Sequence, residues 1–124
     1  MQGALQAADD ALAADSENTD AKLRRAELLV DIGFRAVTAE VEAGNAEPIN
    51  ELAKNSETIN EGLKLADEIL TASPFHPQAE FVRGKAYLAR GDVPKGIEGF
   101  RAAAESAFKS ASISTSSIES RAAV

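Results

Sequence analysis

Residues 62–70, GLKLADEIL, return as GIEGFRAAA at 96–104, with the small and apolar positions kept at an offset of 34. A longer pair, ADDALAADSENTDAKL at 8–23 and ADEILTASPFHPQAEF at 66–81, matches in its ends and apolar positions at an offset of 58. Internal repetition restricts a fold strongly, because a unit that recurs buries its apolar face against its neighbours. The 124 residues are one ordinary domain, long enough for a modest core.

The repeating unit is helical. Hydrophobic residues make up 44% of the chain but aromatics only 5%, and alanine, leucine and isoleucine supply most of the apolar surface. Alanine and leucine have high helix propensity, and small side chains let helices approach closely. Alternating runs of β-branched and aromatic residues, the strand signature, are missing. Without cysteine there is no disulfide framework. No apolar run approaches the ~18 residues of a membrane span. The N-terminus lacks a basic and then apolar leader, so a cytoplasmic location is expected. A net charge of −7 argues against nucleic acid, whose phosphates need a basic footprint. The charge is uneven: residues 1–75 carry 15 acids against 6 bases, and residues 76–124 carry 5 against 7. The first part is either a set of solvated helix faces or a surface that steers a basic partner.

GKAYLARGD, residues 84–92, sets a tyrosine between two glycines about one turn away on either side. With its surroundings it forms the pattern Pro74, Ala79, Gly84, Tyr87, Gly91-Asp92, Gly96, Phe100 and Ala103. This resembles a tetratricopeptide repeat, whose period is 34 residues. The match is strongest over 74–107, and the resemblance covers most of the chain up to about residue 107. The departures are Glu80 at the family's usual tryptophan, Arg83 at its leucine and Gly96 at its alanine on the second helix. The resemblance implies an all-α fold, a right-handed array of antiparallel helical hairpins (a TPR-like α-solenoid) with about five helices. It also implies that Gly84 sits where helix A meets helix B, with Tyr87 packed over it. Gly91 would then end helix A in the left-handed conformation that glycine adopts cheaply. Asp92 suits the cap of helix B and Pro94 its first turn.

The expected organisation is one helical domain over 1–109: a lone helix B (1–16), an elongated hairpin repeat (19–76) and a regular repeat (77–109). A Ser-rich tail or short capping helix is expected at 110–124. The lone helix, with Leu5, Ala8 and Leu12 as its apolar face, lacks a helix A, either because the protein opens with a half repeat or because upstream residues were removed. In the middle unit 58 residues stand where 34 would suffice. Ile49, Leu52, Ser56, Ile59, Leu63, Ala66 and Leu70 step by 3 and 4, which predicts one unbroken helix. Leu23, Ala26, Val30, Gly33, Val37 and Val41 likewise carry a helix through Gly33. AGNAEP at 43–48 supplies the turn, with Gly44 or Asn45 as the stop and Pro48 near the next start. Each arm is therefore longer by about 12 residues, roughly 18 Å at the helical rise, and the hairpin is expected to stick out.

No constellation of reactive groups points to an enzyme, and no catalytic residue, metal site or cofactor is expected. The single histidine, His76, lies between Pro74 and Pro77 in a turn, where a surface role is the ordinary one. Asp9, Asp10, Asp15 and Glu17 lack the spacing of a calcium loop. What remains is surface. By resemblance the A helices line a concave groove that binds peptides or helices, which places Leu23, Glu27, Val30 and Asp31 of the middle unit and Phe81, Lys85, Leu88 and Ala89 of the last unit on its wall. The apolar ones among them serve equally well as core between hairpins. The lysine–asparagine clamp that some family members use for a terminal carboxylate is absent, since Leu23 with Glu27 and Phe81 with Lys85 stand there. The expected partner is another protein, offering a basic amphipathic helix or extended segment, with no nucleic acid and no membrane. The function expected is a non-catalytic interaction scaffold. The alternatives are a secretion-type tetratricopeptide chaperone, a regulatory domain of a longer protein, or homo-oligomeric self-assembly through Ile49, Leu52 and Ile59.

Overall fold

Helix starts and stops account for the element order. A computed structural model describes residues 2–122, with side chains over 3–109, and contains α1 (Gln2–Ala14), α2 (Thr19–Glu42), α3 (Ile49–Lys54), α4 (Glu57–Ala72), α5 (Pro77–Ala89) and α6 (Val93–Ala122). Among the described residues every regular element is a helix. The first N–H groups of a helix have no partner within it, and a side chain just before the helix supplies one. The backbone N–H of Ala21 donates to Asn18 Oδ1 at 3.0 Å, that of Ile59 to Ser56 Oγ at 3.2 Å, and that of Lys95 to Asp92 Oδ1 at 3.2 Å. His76 does the same for α5, its Nδ1 accepting from Ala79 N–H at 3.2 Å. Gly44 and Gly91 take positive φ, 100° and 80°, at the ends of the two hairpins' first helices; glycine reaches this region without steric penalty.

Two antiparallel hairpins carry the body: α2 with α4, and α5 with α6. α4 and α2 both pack on α5, and α1 packs on α2. The core is one cluster across α2, α3, α4 and α5, built from Ala26, Val30, Val37, Ala53, Ile59, Leu63, Ala66, Val82 and Ala86. Ile59 and Val82 are its largest fully buried side chains. Burial of each is worth about 1.5–3 kcal/mol. Small residues set the spacing. A Cβ added at Gly62 would lie 2.9 Å from the Ala26 carbonyl oxygen, and one at Gly84 would lie 2.9 Å from the Gly96 carbonyl oxygen and 3.0 Å from the Phe100 ring.

The expectation of a long α2 passing through Gly33 holds: Gly33 is buried mid-helix, with Ile59 filling the space where a Cβ would stand. Four other expectations need correction. The second arm is not one helix, because the chain breaks at Asn55 and Ser56. The heptad position Ser56 caps α4 instead of lying inside a helix, and the described residues accordingly form six helices, close to the expected five. The extended hairpin does not simply project, since α3 folds back on the body. Ala53 is fully buried, Ile49 and Leu52 pack against the core, and the Asn50 side chain occupies the space beside Gly91. This also removes the proposed self-assembly stripe, because Ile59 is buried and Ile49 and Leu52 are partly so. The ring over Gly84 is that of Phe100, whereas Tyr87 lies beside the cations of Arg83, Arg90 and Lys95, at 5.6, 5.8 and 5.1 Å from its centroid. Beyond residue 109 the Ser-rich segment continues α6 to Ala122; residues 123–124 of that segment lie outside the described residues.

Candidate groove between α2 and α5

Where α2 crosses α5, side chains spaced by three and four on each helix converge. Val30, Asp31, Lys85, Leu88 and Ala89, five of the eight residues expected on the groove wall, line a single cavity of about 220 Å³ together with Phe34. Its accessible lining is almost wholly apolar. Lys85 Nζ donates to Asp31 Oδ1 at 2.9 Å across the rim, and the same ammonium lies 5.8 Å from the centre of the Phe81 ring. Phe81 in turn tilts against Phe100 at 5.2 Å between ring centres. Phe81 thus borders the cavity through Lys85. Leu23 is partly buried against the core, and Glu27 pairs with Arg24 at 3.6 Å; neither lines the cavity.

The apolar wall is open to solvent. Phe34 is 42% exposed, Leu88 45% and Phe81 48%, whereas Val30 at the floor is buried. Phe34 is not among the positions that the resemblance places on the groove wall. The signal was present: Phe34 lies four residues after Val30 and three after Asp31, on the face they share.

Two further clefts carry charged side chains. One, of about 390 Å³, is lined by Glu80, Arg83, Tyr87, Lys95 and Glu98 among others. Its cations are engaged nearby, Arg83 with Asp67 at 3.2 Å and Lys95 with Asp92 at 3.9 Å. Glu80 is buried there and accepts a 2.6 Å hydrogen bond from the Ser106 hydroxyl. The other, of about 460 Å³, lies among Asn60, Lys64, Asp67, Glu68 and Arg90. Among the described residues no three His, Cys, Asp or Glu side chains converge as metal ligands, and no helix is long and apolar enough to cross a membrane.

The Arg25 guanidinium has a shifted pKa. Burial lowers that of Arg25, but its hydrogen bonds to Asp9 (2.7 Å) and Glu61 (2.8 Å) outweigh burial and raise it above the ordinary arginine value. Arg25 therefore ties α1 to both helices of the first hairpin. Fifty-eight residues on, Arg83 reaches Asp67, the counterpart of Asp9 at the same offset. The ion pair between successive units recurs with the repeat.

No protein-family model matches this chain, and no curated protein or solved structure does so either.

Proposed function

We propose that the chain is a non-catalytic protein-interaction module of tetratricopeptide-like hairpins in a right-handed array, and that the α2–α5 groove holds a segment of a partner protein. The observation that carries the reading is the 220 Å³ apolar cavity, walled by exposed Phe34 and Leu88 and rimmed by an acid–base pair. Contiguous exposed apolar surface with a polar rim is the mark of a protein-binding site. The repeat reading draws support from equivalences at the expected offsets. Ala26 meets Gly62 as Gly84 meets Gly96, and Arg25 meets Asp9 as Arg83 meets Asp67. On this reading α1 stands to α2 as α4 stands to α5, the second helix of a preceding unit.

The test compares wild type with Leu88→Glu as bait for proteins in a lysate, and then titrates each protein that only wild type retains. Leu88→Glu puts a charge into the apolar wall and is expected to weaken binding at least about thirtyfold, as for a buried anchor. Glu27→Lys, at a partly exposed position, is expected to act mainly on the association rate and its salt dependence. If the folded Leu88→Glu variant binds every retained protein as wild type does, this groove is not the site.

A further inference from the structure

The first hairpin's overhang extends the groove beyond the end of α5. The cavity takes its α5 wall from Leu88 and Ala89, the last residues of that helix, while α2 continues from Phe34 to Glu42. One face of this overhang is covered: Gly33 and Val37 are buried, the first against Ile59. The other face is open. Phe34, Thr38 and Val41 stand at i, i+4 and i+7, on one side of the helix, with Val41 38% exposed. The Thr38 hydroxyl donates to the Phe34 carbonyl oxygen at 2.9 Å, so its polar group is satisfied within α2. Along α2 between residues 27 and 42 the acids Glu27, Asp31, Glu40 and Glu42 stand against Arg35, with Glu27 paired to Arg24 and Asp31 to Lys85.

We infer that the groove's occupant is a cationic amphipathic helix of a partner protein, laid along α2. It would set one apolar residue into the cavity beside Phe34 and a second two turns on against Val41. This rests on the groove being a protein-binding site, as proposed above. Three observations select the class. The two apolar contacts on α2 stand seven residues apart, about 10 Å at the helical rise, which a second helix matches with its own i and i+7 positions. A helix surface offers no unpaired backbone groups, so an extended segment lying on it would leave its own N–H and C=O groups without partners at the apolar contact. The surrounding charge favours lysine or arginine on the occupant's flanks. In the free protein Lys85 holds Asp31; a cation on the occupant competes for the same carboxylate.

The probe is a synthetic 18-residue helical peptide of leucine and lysine, with leucines at i, i+3, i+4 and i+7. It is titrated beside the same peptide with glutamate for lysine, and beside one interrupted by proline. The full chain is expected to bind the leucine–lysine helix and to bind both controls about tenfold more weakly or worse. Phe34→Ser is expected to lose about tenfold and Val41→Ser about threefold, as anchors of unequal burial; both positions are exposed, and circular dichroism checks that the variants stay folded. If Leu88→Ser loses binding while Phe34→Ser and Val41→Ser do not, the groove stands and its extension along α2 falls. If all three variants bind as wild type, the groove reading falls with it. Equal binding of the glutamate peptide overturns the cationic class, equal binding of the proline peptide overturns the helix, and no binding of the leucine–lysine helix overturns the occupant altogether.

Discussion

The two hairpins cross in the same way and end differently. In α2/α4 the crossing is Ala26 against Gly62, and in α5/α6 it is Gly84 against Gly96, the same pair displaced by 58 and 34 residues. At the far end the equivalence breaks. Gly33 and Gly91 are also 58 apart, yet Gly33 lies inside a helix and Gly91 terminates one at φ 80°. The residues just after each glycine help decide the outcome. Asp92 and Pro94 cap and open a new helix after Gly91, whereas Phe34, Arg35, Ala36 and Val37 carry α2 onward after Gly33. The prolonged helix then needs cover, which Ile59 and the short α3 provide on one side. A glycine therefore permits a turn and does not impose one.

The largest expected effect tests the shared crossing. Gly84→Leu forces a side chain against the Gly96 carbonyl and the Phe100 ring, and overpacking of this kind costs about 3 kcal/mol. Thermal unfolding should show a loss of about 10 °C. An unchanged melting temperature would break the equivalence of the two crossings.

A smaller effect addresses the divergent glycines. Gly91→Ala places a Cβ in the left-handed region and against the Asn50 side chain, at a cost of about 1–2 kcal/mol. Trimming that neighbour, as Gly91→Ala with Asn50→Ala, removes the two closest contacts, at 2.5 and 2.6 Å, and leaves the Cβ of residue 50 at 3.0 Å together with the backbone penalty. Chemical denaturation of the double variant should therefore still show a loss of about 1 kcal/mol relative to Asn50→Ala alone. Full recovery would mean that α3, not the turn, requires the glycine.

The smallest effect compares the repeated ion pairs. Arg25 has two carboxylate partners and a side chain only 20% exposed, whereas Arg83 is 45% exposed and bonds Asp67. Arg25→Gln should cost about 1 kcal/mol and Arg83→Gln less than about half of that. The raised pKa of Arg25 also gives the sign of its pH dependence. A group whose folded pKa is raised contributes fully below its unfolded value and loses that contribution only as pH climbs through the folded one. From the arginine side, then, the cost of Arg25→Gln should stay constant through neutral and mildly alkaline pH. Urea titrations at several pH values measure it, and equal costs for the two arginines would remove the distinction between first and last units.

Much of the candidate site was legible. The resemblance places Val30, Asp31, Lys85, Leu88 and Ala89 on one wall, and one cavity gathers them. Phe34 lies beyond the positions that the resemblance supplies, and periodicity alone does not say which residue near Gly33 faces the neighbouring hairpin. Glu27 and Leu23 belong to the same helix face but lie further along α2, where the lining of the cavity no longer reaches. Tyr87 was expected over Gly84. A tyrosine three residues away on the same helix and a phenylalanine on the facing helix compete for that space, and only the packing of α6 chooses Phe100.

Local chemistry was enough for the helical class, the cap at Asp92 and the turns at Gly44 and Gly91. These depend on backbone conformation and on periodic burial within a few turns, which neighbouring residues specify. The break at Ser56, the return of α3 onto Gly91 and the opening of Phe34 and Val41 to solvent were decided by the tertiary structure. Each depends on which of two helical faces finds a partner far away in the chain. A stripe such as Ile49 to Leu70 suits a straight helix and a broken one equally well until the surface it must cover is in place.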